Sequence, residues 1–206
     1  MPNGSLDSHL FSKKGLLAWF VRYKISLGLA SALLYLHEEW EQYVANGPWV
    51  GNLGPKTTGL ARTLGYLALE YISTGRASKE SDVYSFGVVA LEIATGKKSA
   101  GPMKEDPGMG LVEWVWDLYG IGQVLSRVDE KLDTNFDEQQ MECLMIVGLW
   151  CAHPDSNFRP SIWQAIQVLN FETAMPNLPN KMPVPTPSSV SFSEPFVTNS
   201  SIDVGR

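Results

Sequence analysis

The stretch from Ser78 to Gly96, SKESDVYSFGVVALEIATG, constrains the fold more than any other part of the chain. A serine at its start is a preferred helix N-cap, and a glycine at its end is a preferred stop. Between them Val83, Phe86, Val89, Ala90 and Ile93 fall at helical spacing, with Val88 and Leu91 beside them. A helix so apolar around its circumference has to be surrounded by other elements. The sequence therefore predicts a helix that begins after Ser78, runs to about Thr95 and forms the centre of a core.

The remaining segments predict more helices and no convincing strand alternation. Residues 19–40, WFVRYKISLGLASALLYLHEEW, carry Ile25, Leu29, Leu33 and Leu36 on one stripe, widened by Leu27, Ala30 and Leu34. That pattern reads as a long, deeply buried helix with Glu38, Glu39 and Glu41 at its solvated end. A short helix capped by Ser5 precedes it, and residues 43–56 have loop composition, with three Gly and two Pro. Further helices are expected over 111–119, from Asp137 with Gln140 as a capping-box partner, and over 160–170 with Pro160 in the first turn. The fold class is all-α, with about six helices over residues 1–172. Residues 173–206 have prolines at 176, 179, 183, 185, 187 and 195 among Ser, Asn and Thr, and are expected to form a disordered tail.

Composition narrows the function classes. The hydrophobic fraction of 44% supports a core, and a net charge of −6 excludes a nucleic-acid backbone as partner. No apolar run reaches the length of a membrane span, and MPNGSLDSHLF lacks a signal-peptide core, so the expected compartment is cytoplasmic. Cys143 and Cys151 share one predicted helix, where eight residues separate them by about 12 Å. A disulfide needs Cα atoms within about 7 Å, so both are read as buried free thiols. Trp114, Trp116, Trp150 and Trp163 read as core or half-buried packing, and Lys97-Lys98 as solvated.

Three motifs carry the functional reading. Gly65-Tyr66-Leu67-Ala68-Leu69-Glu70 precedes the central helix, Asp82 stands in Ser81-Asp82-Val83-Tyr84-Ser85-Phe86-Gly87, and Arg159 stands in Asn157-Phe158-Arg159-Pro160. Together they resemble the end of the activation segment, the central helix and the late C-lobe arginine of protein kinases. MPNGSLDSHLF, VRYKISLGLASALLYLHEEWEQ, STGRASKESDVYSFGVVALEIATGKK, LVEWVWDLYG and LPNKMPVP resemble the plant L-type lectin receptor-like serine/threonine kinases. The resemblance covers residues 1–188 except the stretch around 43–53, and places Met1 at the hinge after the family's N-lobe. It implies a kinase C-lobe in which Glu70 and Arg159 form a buried ion pair. It also implies that Asp82 holds the backbone of a catalytic loop, that Thr63 lies in the substrate-docking loop and that Ser5 lies at the nucleotide ribose. An N-cap role explains Ser5 without a ligand, and His37 at a helix end suits the negative end of the dipole.

The resemblance also implies ATP, magnesium and a phosphoryl-transfer apparatus, and here the sequence departs from it. Such enzymes need a base, an asparagine and a metal-binding aspartate, in His-Arg-Asp…Asn and Asp-Phe-Gly. The three histidines, His9, His37 and His153, are not followed by Arg-Asp, and no aspartate is followed by Phe-Gly. The chain runs from LASALLYLHEEWEQ through residues 43–56 directly into TTGLARTLGY. Leu69 replaces the family proline, and Arg62 replaces a glycine beside Thr63. Gly120-Ile121-Gly122 follows a predicted helix and is a turn, not a phosphate loop. The expectation is a catalytically inactive C-lobe remnant with no cofactor, acting at most by binding other kinases or receptor complexes. The alternative is part of an active receptor kinase whose missing segments are lost from this sequence. A remnant of this kind is also expected to be marginally stable and prone to self-association. Asp82 would lose its backbone donors, and the helices over 19–40 and 79–95 would lose cover.

Overall fold

The computed structural model describes residues 4–12, 17–46, 64–75, 77–99 and 109–184. Among the described residues the regular structure is helical, with no strand. Seven α-helices follow in order: α1 (Leu6–Phe11), α2 (Trp19–Asn46), α3 (Leu69–Thr74), α4 (Lys79–Thr95), α5 (Leu111–Gly120), α6 (Glu138–Cys151) and α7 (Ile162–Leu169). Short 3-10 turns at Leu64–Tyr66, Val124–Arg127, Glu130–Leu132 and Ser156–Phe158 link them.

The predicted central helix is α4. Ser78 accepts from the Ser81 amide while the Ser81 hydroxyl accepts from the Ser78 amide, a reciprocal cap built from two serines. Gly96 ends the helix at φ 64°, and its amide donates to the Glu92 carbonyl. From Phe86 to Thr95 only Val89 is not fully buried. The expected loss of cover along α4 therefore does not occur: α2, α5, α6 and the Leu64–Tyr66 turn pack around it.

Helix α6 is the main neighbour of α4. A Cβ at Gly87 would stand 2.6 Å from both the Ala152 amide nitrogen and the Gly148 carbonyl oxygen. One at Gly148 would meet Leu91 side-chain atoms at 2.8–2.9 Å. The two glycines let the backbones of α4 and α6 touch, which no side chain could do. Alanine is the better helix former by about 1 kcal/mol, but overpacking against backbone costs about 1–3 kcal/mol or more. Gly87→Ala is expected to destabilise the chain by about 2 kcal/mol in a denaturant melt. An unchanged or raised midpoint would show that the crossing can yield.

Several sequence expectations change at this level. Helix α2 does not stop at residue 40 but continues to Asn46, into the stretch read as loop. It is not buried all round. Arg22, Tyr23, Ser26, Ala30 and His37 face the core, whereas Phe20, Tyr35 and Leu36 are more than half exposed. An apolar circumference predicted burial because composition does not show which neighbours are present. At α6, Asp137 accepts from the Gln140 amide, but the Gln140 side chain accepts from the Trp19 indole, tying α6 to α2 instead of closing the cap. At α7 the cap is Ser161, reciprocally bonded with Gln164, so Pro160 precedes the cap.

The packed body also extends past residue 172. Leu178 is buried, Trp116 Nε1 donates to the Pro179 carbonyl at 2.8 Å, and the Leu178 amide donates to the Tyr119 hydroxyl. Gly120 makes room for the Asn180 carbonyl, which a Cβ would strike. The prolines gave residues 173–184 the composition of a tail, but an extended strap needs only a few anchors. Residues 185–206 lie outside the described residues. Lys97 lies over the Trp114 ring, and Lys98 reaches Asp7 in a surface pair in which both side chains stay half or more exposed, so Lys98 remains solvated as expected and Lys97 is half-buried. Trp114 and Trp116 are buried, Trp150 is half-buried and Trp163 is exposed. Cys143 and Cys151 are buried free thiols, and burial raises the pKa of both, Cys143 to about 11.

Candidate functional site

Helix α3 carries Glu70 in its first turn. Ala68 enters in extended conformation, and Gly75 closes the helix at φ 66°. Leu69 is its first helical residue and is exposed, so the proline of the resembling family and the leucine found here both fit the position without a packing consequence. Arg159 follows the Ser156–Phe158 turn. Its guanidinium grips Glu70 with both ends, Nη1 to Oε1 at 2.5 Å and Nη2 to Oε2 at 3.1 Å.

Arg159 does more than pair. Nε donates to the His153 carbonyl, Nη1 to the Glu80 carbonyl and Nη2 to the Pro154 carbonyl, at 2.8, 2.9 and 3.2 Å. The Tyr84 ring lies 4.9 Å from its guanidinium carbon. One buried cation therefore joins α3, the first turn of α4 and the turn before α7. Burial pushes Glu70 up, but the Arg159 hydrogen bonds, a backbone hydrogen bond and the Arg159 charge together outweigh it and hold the carboxyl below its ordinary pKa. His153 packs edge-on to Trp116 with centroids 5.7 Å apart, and burial holds its imidazole below the ordinary histidine range.

Asp82 does not match the expectation of a partly buried carboxylate lacking donors. Its side chain is 52% exposed, and Oδ2 lies 3.3 Å from His37 Nε2. His37 in turn is not at a helix end, because α2 continues past it; it is buried inside the helix and aimed at α4. Whether residues 47–63 supply donors to Asp82 falls outside the described residues, and so does Thr63. Ser5 caps α1, exchanging hydrogen bonds with Ser8 in both directions. Nothing about its geometry asks for a ligand.

An open groove of about 530 Å³ lies between α2, α4 and α7, lined by His37, Lys79, Arg159 and Trp163 among others. Its walls carry both signs of charge and an exposed indole. Among the described residues no three carboxylates, imidazoles or thiols converge, and Asp82 faces an imidazole. No helix among the described residues is long and apolar enough to cross a membrane.

Two buried clusters were not legible as motifs. Arg22, 0% exposed, donates to Asp129 at 2.7 Å and to the Ile93 and Leu17 carbonyls. Glu92 accepts from the Tyr66 hydroxyl and the Ser99 amide. The only sequence signal was a charge inside a largely apolar segment, alone at Glu92 and beside Lys24 at Arg22.

A family model described as protein tyrosine and serine/threonine kinase matches residues 55–169. The chain is 58% identical, over all of its length, to L-type lectin-domain containing receptor kinase IX.1 of Arabidopsis thaliana, and covers 37% of that protein. It is 48% identical to receptor kinase IX.2 of the same plant, over 99% of the chain and 36% of the relative. It is 38% identical to L-type lectin-domain containing receptor kinase SIT2 of Oryza sativa subsp. japonica, over 86% of the chain and 30% of the relative. The chain spans about a third of the length of these curated relatives. The helical body, with Glu70, Asp82 and Arg159 set as described, is that of a kinase C-lobe.

Proposed function

We propose that this chain, which belongs to the protein tyrosine and serine/threonine kinase family, transfers no phosphate as it stands and acts through protein binding. The observation that carries this lies inside the chain, between α2 and the Glu70 segment. There the sequence has neither His-Arg-Asp…Asn nor Asp-Phe-Gly. The alignment to receptor kinase IX.1 supports it: 206 residues are matched over 240 positions, so at least 34 positions of that relative have no counterpart here. The base, the asparagine and the metal-binding aspartate act as a unit, and positioning with charge stabilisation is nearly all that catalyses phosphoryl transfer. The exposed Asp82 paired with His37 is consistent with an aspartate that has no catalytic loop to hold.

Receptor kinases of its own group are the partners this reading favours, because the Glu70–Arg159 pair and the groove beside Trp163 are present while the catalytic motifs are not. Purified chain with labelled ATP, magnesium and a basic protein substrate is expected to give no incorporation above a heat-killed control. Incorporation above that control, with an intact kinase domain as positive comparator, would overturn the reading. The competing reading, an active receptor kinase, draws support from the 58% identity along the whole chain. Sequencing the transcript between the codons for Gln42 and Leu53 decides between them, since the active product must encode both absent motifs there.

A further inference from the structure

Helix α2 has two apolar faces, and among the described residues only one of them is covered. The face opposite the core presents Phe20, Val21, Tyr35 and Leu36, with 64% and 62% of Phe20 and Tyr35 in contact with solvent. Lys24, Gly28, Ser31, Ala32 and Glu39 are exposed on the same side, at three- and four-residue spacing. A Cβ placed on Gly28 would touch nothing within 4 Å. Exposed apolar surface arranged in a stripe along a helix marks an interaction site rather than scattered surface residues.

We propose that this face pairs with the same face of a second copy of this chain, antiparallel and about a two-fold axis near Ser31 and Ala32. The choice of occupant follows from the order of residues along the stripe. In a two-fold pair, if residue i faces residue j of the second copy, then j also faces i. Setting Ser31 against Ala32 of the second copy places Gly28 opposite Tyr35 and Lys24 opposite Glu39. The open space at Gly28 receives an exposed ring, and each cation meets an anion, twice each in the dimer. Small residues at the middle let the axes approach at the short end of the 8–10 Å range for packed helices. A parallel pair would set Lys24 against Lys24 and Glu39 against Glu39, so charge selects the antiparallel arrangement. At about 1.5 Å per residue the stripe from Phe20 to Glu39 is about 30 Å long, a small interface, so the association is concentration-dependent. The proposal holds whether or not the chain transfers phosphate.

Sedimentation velocity of the full chain over a concentration series tests it, with helicity checked for each variant. The wild-type chain is expected to move from monomer to dimer. Lys24→Glu and Glu39→Lys are each expected to weaken dimerisation about tenfold, because each creates two like-charge contacts. The double variant is expected to recover most of the loss, an effect that general apolar stickiness does not produce. Ser31→Cys is expected to form a disulfide-linked dimer under mild oxidation, while Ser126→Cys, an exposed control, is not. Cys143 and Cys151 are buried and do not compete. A monomer at all concentrations overturns the proposal. So does a dimer that ignores both charge reversals, or a double variant no tighter than the singles.

Discussion

Asp129→Ala is expected to destabilise this chain by about 3–5 kcal/mol, the range for breaking one side of a buried ion pair. Its partner Arg22 is fully buried in the first turns of α2, and Asp129 is only 7% exposed. Asp129 Oδ2 accepts from Arg22 while Oδ1 accepts from the Lys131 amide. Its carboxylate lies directly against Gly96, where a Cβ would collide with it, so the glycine that ends α4 is also the space that Asp129 occupies. Removing the carboxylate leaves a buried guanidinium with two carbonyls and no counter-charge. Replacing a buried pair by apolar residues is often neutral, but not here, because Arg22 also serves the Ile93 and Leu17 carbonyls, which an apolar residue would strand. For a chain of this size about 1 kcal/mol corresponds to about 2–4 °C, so a fall of about 10 °C in Tm is expected. Asp129→Asn keeps an acceptor for only one of the two donors, turns an amide NH2 toward the other and removes the counter-charge, so it is expected to recover only a small part of that loss. A fall of under about 2 °C for Asp129→Ala would show that water reaches Arg22.

What the sequence disclosed and what it did not divide along a physical line. Local chemistry was legible. The serine and glycine around α4 fixed its ends, because caps act on groups within four residues. Ser5 and Asp137 were legible as N-caps for the same reason. The pairing of Glu70 with Arg159 was implied by the resemblance to protein kinases, carried by residues 65–70 and 157–160. Neighbours were not legible. The pattern of α2 says apolar on most sides, which is equally the pattern of a helix buried all round and of one with a bare face. Only the placement of α4 and α7 shows which. Asp82 and His37 were misjudged for one shared reason: α2 continues past residue 40, which puts His37 inside the helix, facing α4. Arg22 was passed over because a charge in an apolar helix looks like a surface residue until the carbonyls it meets, 71 residues away at Ile93, are known. The strap over 173–184 was hidden by its composition, since prolines are as suitable for an anchored extended segment as for a loose one.

The Glu70–Arg159 pair is expected to respond unequally to removal of its two members. The Arg159 side chain is 1% exposed and that of Glu70 is 33% exposed. Arg159→Leu strands the Glu80, His153 and Pro154 carbonyls together with the Glu70 carboxylate, and is expected to cost about 3–5 kcal/mol. Glu70→Ala leaves Arg159 with its three carbonyls and opens its remaining face to water. Partial exposure screens this side of the pair, so about 1–2 kcal/mol is expected. Equal losses would mean that the ion pair, not the carbonyl network, is what Arg159 contributes. The effect of pH separates the two further. Burial, the largest single influence, raises the Glu70 pKa, but the Arg159 hydrogen bonds, a backbone hydrogen bond and the Arg159 charge together lower it by more, so the net position is below the ordinary 4.5. A carboxylate with a depressed folded pKa contributes stability that is fully present above the unfolded value and is lost as pH falls through the folded one. The Tm gap between the wild-type chain and Glu70→Gln is therefore expected to be constant above about pH 5.5 and to close below pH 4.5, whereas the gap for Arg159→Leu should persist into acid because carbonyls do not titrate. If the Glu70→Gln gap survives unchanged at low pH, the carboxylate charge is not what holds Glu70 to Arg159.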